Sequence, residues 1–168
     1  MLIKDLTVAQ LQSTFVCDKV FRGPDQKNDP ALSPVSVAFA TSRGLMNPYV
    51  MPTLQQLFNF VTFYTDYYRT GPGSSHPDAN RRWRNAAKVR FNIETKINPR
   101  QEFANRTIEP KPFARIVART IMSNGLEDRA DIQSKKRPGH RARWHTGKPE
   151  RFQGDLPDQA TTEVRGSG

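Results

Sequence analysis

Between Pro52 and Gly125 apolar side chains recur at helical spacing, and on either side of those limits the pattern fades. Leu54, Leu57, Phe58, Val61, Tyr64 and Tyr68 follow one face of a helix, with Pro52 tolerated just ahead of its first turn. Phe60, Phe63 and Tyr67 make a second stripe beside the first, leaving a narrow polar sector of Gln55, Asn59, Thr62, Asp66 and Arg69. A helix so ringed needs cover on more than one side. The run TGPG, residues 70–73, ends it.

Two further helices follow from the same period. Pro77 and Asp78 open the second, where Trp83, Ala86, Val89, Ile93 and Ile97 form an apolar stripe that Asn98 and Pro99 stop. Arg81, Arg84 and Lys88 recur at spacings of three and four on another face, so their charges collect on one side. The third fits PKPFARIVARTIMSNG. It turns Phe113, Ile116, Val117, Thr120 and Ile121 inward and Arg115 and Arg119 outward, with Asn124 and Gly125 as a left-handed cap. Short links between three such helices predict an all-α fold, an antiparallel three-helix bundle with extended irregular N- and C-terminal segments.

The flanks read differently. Ahead of the bundle, Val8, Leu11 and Phe15 recur behind Thr7, a candidate N-cap for one short helix. Residues 22–52, with FRGPDQKNDPALSP and GLMNPYVMP, are dense in Pro, Gly, Asn and Asp and read as an extended connector. After Gly125, QSKKRPGHRARWHTGKPERF mixes Lys135, Lys136, Arg137, Arg141, Arg143, Lys148 and Arg151 with Trp144 and Phe152. It reads as a basic tail, disordered or laid along a partner. The chain thus divides into an N-terminal extension over 1–52, the bundle over 53–125 and the tail over 126–168.

Charge sharpens this division. The formal net charge is +10, and residues 81–119 hold eleven basic side chains against three acidic ones. A positive field concentrated in one segment points to an acidic partner beside it: nucleic acid, an anionic lipid surface or an acidic protein. At 36% hydrophobic residues over 168 positions the chain can bury one modest core. No apolar run has the length of a membrane span, and the start MLIKDLTVAQ lacks the apolar centre of a secretory signal. Asp5 and Asp18 fit poorly with an acid-free transit peptide.

Catalytic chemistry is not expected. His140 and His145 stand in a tail without cysteine, His76 is isolated, and the single cysteine, Cys17, has no neighbour at metal-ligand spacing. Carboxylates are scattered, and no glycine-rich loop has phosphate-binding spacing. A binding role remains.

The stretch FYTDYYRTGP, residues 63–72, resembles the first-helix signature of the LYR-motif family, small three-helix mitochondrial proteins, and in particular the type found as an accessory subunit in the matrix arm of respiratory complex I. Tyr64, Asp66, Tyr67, Tyr68, Arg69, Thr70, Gly71 and Pro72 fall in the order of that signature. Phe63 replaces its leucine and Thr65 its arginine. KVRFNIETKINP is similar to the family's basic second helix, with Arg90, Phe91 and Ile97 as matching positions. The resemblance covers residues 53–122.

What it implies is a non-catalytic accessory subunit on the matrix side of the mitochondrial inner membrane. Such a subunit docks an acyl carrier protein and clamps neighbouring subunits of a large complex. No cofactor is bound directly; the group implied is the acyl-phosphopantetheine of the carrier, entering the bundle between apolar side chains. The carrier-binding residues implied are Phe63, Tyr64, Tyr68, Arg69, Arg81, Arg84, Lys88 and Arg90. An enclosed aromatic helix and an arginine face are compatible with that chemistry.

A reading of another class is an RNA-binding structural protein, such as a mitochondrial ribosomal protein or a filamentous virus coat protein. Residues 81–119 and the tail carry the arginine and lysine density it needs, and Trp83, Trp144 and Phe152 offer rings for base stacking. Ordinary core packing for the aromatic stripes and plain solvation for the basic face are the bland alternatives to both.

Overall fold

The computed structural model describes residues 2–17, 29–96, 100–135 and 141–145. Among these the chain is mostly helical, with a small sheet. Five α-helices occur, α1 (Val8–Thr14), α2 (Pro34–Ser42), α3 (Leu54–Arg69), α4 (Ala79–Ala87) and α5 (Pro110–Ser123). Three strands join them: β1 (Phe91–Thr95), β2 (Ala130–Lys135) and β3 (Arg141–His145). No helix among the described residues is long and apolar enough to cross a membrane.

The central helix forms as its pattern predicts. Thr53 caps α3 by accepting from the Gln56 amide, and Gln56 returns a side-chain oxygen to the Thr53 amide at 2.8 Å, so two otherwise unpaired donors are satisfied together. The far end closes tightly. The amide of Gly73 donates to the Tyr67 carbonyl at 3.0 Å, and a Cβ built on Gly73 would lie 2.5 Å from the Tyr67 ring, so only glycine lets the chain pass this close.

The all-α expectation is corrected by the strands. The second predicted helix stops at Ala87, and Phe91–Thr95 is extended. Its residues satisfy two periods at once, because Val89 and Ile93 fit a helical stripe while Val89, Phe91, Ile93 and Thr95 also alternate, and the sheet takes the second option. Ile97 and the stop at Asn98 and Pro99 lie outside the described residues. β1 runs parallel to β2, with Phe91 opposite Ala130 and Thr95 opposite Ser134. A parallel pair needs a long crossover, and α5 supplies it. β2 then turns back on β3, with Asp131 opposite His145 and Lys135 opposite Arg141.

The tail beginning at Leu126 is therefore not wholly irregular, since it contributes two strands. Ala130 and Ile132 are its buried anchors, two residues apart on one face of β2. The rest of the expected basic tail, 136–140 and 146–168, lies outside the described residues.

The expected extended connector over 22–52 is also corrected. It contains α2, started by Pro34 in the first turn and buried through Val35, Phe39 and Ala40. The short N-terminal helix is present as α1, with Thr7 accepting from the Gln10 amide. It leans on the rest through Gln12, whose Nε2 donates to the Met51 carbonyl at 2.9 Å and to Gln56 Oε1 at 2.8 Å. Val16 pairs with Val50 as a single antiparallel bridge.

Two packed clusters lie along α3. Phe58 meets Phe91, Val117, Ile121, Ala130 and Ile132, joining α3 to α5 and the sheet, with Ile121 fully buried. Around Val35, Tyr68 and Ala79 gather Phe60, Phe63, Tyr64, Tyr67 and Trp83, joining α3 to α2 and α4. Gly125, at φ +61°, ends α5 in the left-handed conformation expected there, and the Leu126 amide donates back to the Ile121 carbonyl.

Candidate basic face of the fourth helix

The helix α4 reads ANRRWRNAA and holds three arginines with no carboxylate inside its bounds. Its small residues face the core: Ala79 and Ala86 are both buried, which lets the backbone approach α3 closely. Arg82 lies on the same side. It extends a guanidinium over the Tyr68 ring, 5.0 Å from the centroid, and its Nη1 donates to the Tyr68 hydroxyl at 3.1 Å. The Tyr64 hydroxyl, and next the phenolic oxygen of Tyr68, raise the Arg82 pKa above its ordinary value against the opposing effect of desolvation, so this charge does not titrate.

Arg81, Arg84 and Lys88 fall on the opposite, exposed face. Arg81 reaches Asp78 Oδ1 at 3.0 Å, an exposed ion pair with the arginine side chain 72% accessible. Such a pair contributes little to stability and leaves the guanidinium open to another anion. Arg84 is oriented by its neighbour one turn back, its Nε donating to Asn80 Oδ1 at 2.8 Å. Lys88 caps the end of the helix and is exposed.

Trp83 stands at the border between the two faces. Its ring packs against the Tyr68 cluster, and the guanidiniums of Arg84 and Arg69 lie over it at 4.7 and 5.6 Å from its centroid. Arg69 reaches it from the last turn of α3. Residues from two helices are thus brought to one partly buried indole.

Of the residues implied by the LYR resemblance, Arg81, Arg84 and Lys88 share the exposed side of α4, and Arg69 meets Arg84 at Trp83. Arg90 is exposed but tied elsewhere, its Nη1 donating to the Asp128 carbonyl at 2.7 Å. The aromatic members are not beside them on the surface. Tyr68 is 4% accessible; Phe63 packs edge-on to Phe39 of α2 at 5.4 Å, and Tyr64 lies against Phe60 and Tyr68. Phe39 also meets Phe60 at 5.3 Å. The second aromatic stripe is therefore covered by a helix of the same chain, where the sequence reading expected other bundle helices or a partner's acyl chain.

The cavity between Phe58, Val61, Phe91 and Leu126 has a volume of about 50 Å³ and includes Asn124 and Arg129 in its wall. That is room for about one or two water molecules. Asn80 and Arg82 were not distinguished by spacing: the first acts only by orienting Arg84, and the second differs from its neighbours only by which side of the helix it occupies.

Compared with protein-family models, with curated proteins and with solved structures, the chain matches none.

Proposed function

We propose that this chain is a non-catalytic docking subunit whose α4 face takes a polyanionic macromolecule, with RNA as the partner. The observation that carries the reading is the placement of Arg81, Arg84 and Lys88 on one exposed side of a helix without carboxylates, with Arg69 brought by α3 to Trp83, where it meets Arg84. Phosphates along a strand meet such a face by counterion release and need no deep pocket. Four contacts of this kind give a slope of log affinity against log salt of about −3 for a single strand.

The test is fluorescence anisotropy of a labelled oligoribonucleotide against salt concentration. Arg81→Glu, Arg84→Glu and Lys88→Glu together abolish binding while the thermal midpoint moves little. Unchanged binding in the triple variant, or a flat salt dependence, overturns the proposal.

A second reading is favoured by Arg69, which is exposed and stands at the later of the two arginine positions of the LYR signature, the earlier being Thr65. In it α3, α4 and α5 stand for the three antiparallel helices of an LYR bundle. The chain is then an accessory subunit of complex I at the matrix side of the mitochondrial inner membrane, docking an acyl carrier protein. Because Phe63, Tyr64 and Tyr68 already pack within this chain, that carrier would dock through its acidic surface on the arginines. Native mass spectrometry of the purified assembly separates the two: recovery of an acidic acyl-bearing protein with no RNA favours the second.

A further inference from the structure

We propose that Trp83, with Arg69 and Arg84 over its ring, is a stacking station for an unpaired base, so that the α4 face takes single-stranded nucleic acid in preference to duplex. The inference rests on the polyanion reading above and assigns the strand type.

Three features of the site carry it. First, the indole is partly exposed while the rest of it is packed against the Tyr68 cluster, so it is held in place before any ligand arrives. Second, two guanidiniums already lie at 4.7 and 5.6 Å from its centroid, and the nearer is fixed by Asn80. Flat guanidinium and indole surfaces together accept the π-face of any base, whereas Nη groups at their edges meet phosphate oxygens. Third, Arg84 links the ring to the exposed side of α4, because it lies over the indole and shares that side with Arg81 and Lys88, which themselves fall roughly 140–160° around the helix from Trp83. A strand held by those side chains therefore reaches the ring past Arg84.

A duplex uses this face differently. Its bases are paired and stacked inside, so a ring at the surface of a convex helix meets only phosphate and sugar, and the charges act without the indole. An acidic protein surface likewise engages the guanidinium edges with carboxylates and leaves the ring face unused.

The test uses the full chain carrying Trp144→Phe, which leaves Trp83 as the sole tryptophan of the two in the sequence. Its fluorescence is titrated with an oligouridylate, the matching oligodeoxynucleotide, a duplex RNA of equal length and polyglutamate. Both single strands quench Trp83, and the duplex binds more weakly without quenching. Trp83→Leu, which keeps bulk without a ring, lowers single-strand affinity roughly 5- to 100-fold. Trp83→Phe, which keeps a ring and the packing, loses less, and neither changes binding to the duplex. Equal affinity for strand and duplex with no quenching overturns the stacking inference and leaves the polyanion reading in place. Binding of polyglutamate alone overturns the inference together with its RNA partner, and absence of binding to any of the four overturns both proposals.

Discussion

The side chain of Arg129 closes onto the carbonyl of Val89, with Nε donating at 3.0 Å and Nη2 at 2.8 Å, and Nη2 also reaches the Ala86 carbonyl at 3.4 Å. A residue forty positions later thus satisfies acceptors left over where α4 ends and β1 begins. Its guanidinium lies 5.8 Å from the centroid of Phe91 as well. This forked contact helps explain why the segment after Ala87 leaves the helix instead of continuing through Ile93.

Replacing Arg129 by methionine keeps most of the bulk and removes the donors. The expected cost is about 1.5–3 kcal/mol, the range for hydrogen bonds made by a charged group. Arg129→Lys does not restore it, because an ammonium cannot reproduce the planar fork. Urea unfolding of the three proteins measures this directly.

Gly73 gives a prediction of opposite sign in volume. Adding a methyl group there drives it into the Tyr67 ring at 2.5 Å and toward Tyr68 Cδ1 at 2.8 Å. Both rings belong to the packed cluster beneath α4, so neither can swing freely away. Gly73→Ala is expected to destabilise by about 1–3 kcal/mol, as overpacking does. Near-UV circular dichroism should change with it, since tyrosines are displaced.

Phe39 carries a more local prediction. It is 6% accessible and sits edge-on to both Phe60 and Phe63, and with Val35 it anchors α2 on the aromatic cluster of α3. Phe39→Ala is expected to cost α2, and the half of α3 it covers, about 3–5 kcal/mol of local stability. Hydrogen exchange settles how far the effect spreads: protection should fall in α2 and in the second half of α3, and hold in α5 and the sheet, whose core is built around Phe58 and Ile121.

These positions also show what the sequence made legible. The start of α3 was readable because Thr53 and the apolar period agree, and the end of α5 because Gly125 adopts the left-handed conformation that the Asn-Gly pair announces. α2 was not, since Val35, Val37, Ala38, Phe39 and Ala40 run around the helix without a stripe and lie among turn residues. β1 was missed because Val89 and Ile93 fit either period, and the decision rests on Ala130 and Arg129, which come much later in the chain. At the candidate site the arginine spacing placed Arg81, Arg84 and Lys88 correctly on one face. Spacing did not reveal that Phe63 was already covered, because that required Phe39 of α2, nor that Tyr64 and Tyr68 pack against Phe60, each other and Arg82.

Tyr68 and Arg69 are neighbours in sequence, and the same resemblance proposed both for partner binding, yet the fold gives them different work. Tyr68 is 4% accessible and accepts from Arg82 through its hydroxyl, while Arg69 is exposed and extends over Trp83. Tyr68→Phe therefore removes one hydrogen bond inside a packed cluster and should cost about 0.5–1.5 kcal/mol, or up to about 3 with the donor left unsatisfied. Oligonucleotide affinity, measured at a temperature where the variant remains folded, should not change. Arg69→Gln should do the reverse. Its stability stays within about 0.5 kcal/mol of the parent, as for most surface changes, while affinity falls and the salt slope becomes shallower by about 0.7, the loss of one phosphate contact on a single strand. Comparing thermal midpoints and salt-dependent anisotropy for the pair tests this directly, and a Tyr68→Phe protein that stays folded but loses affinity would mean that the Tyr68 hydroxyl, directly or by holding Arg82, is part of the binding surface after all.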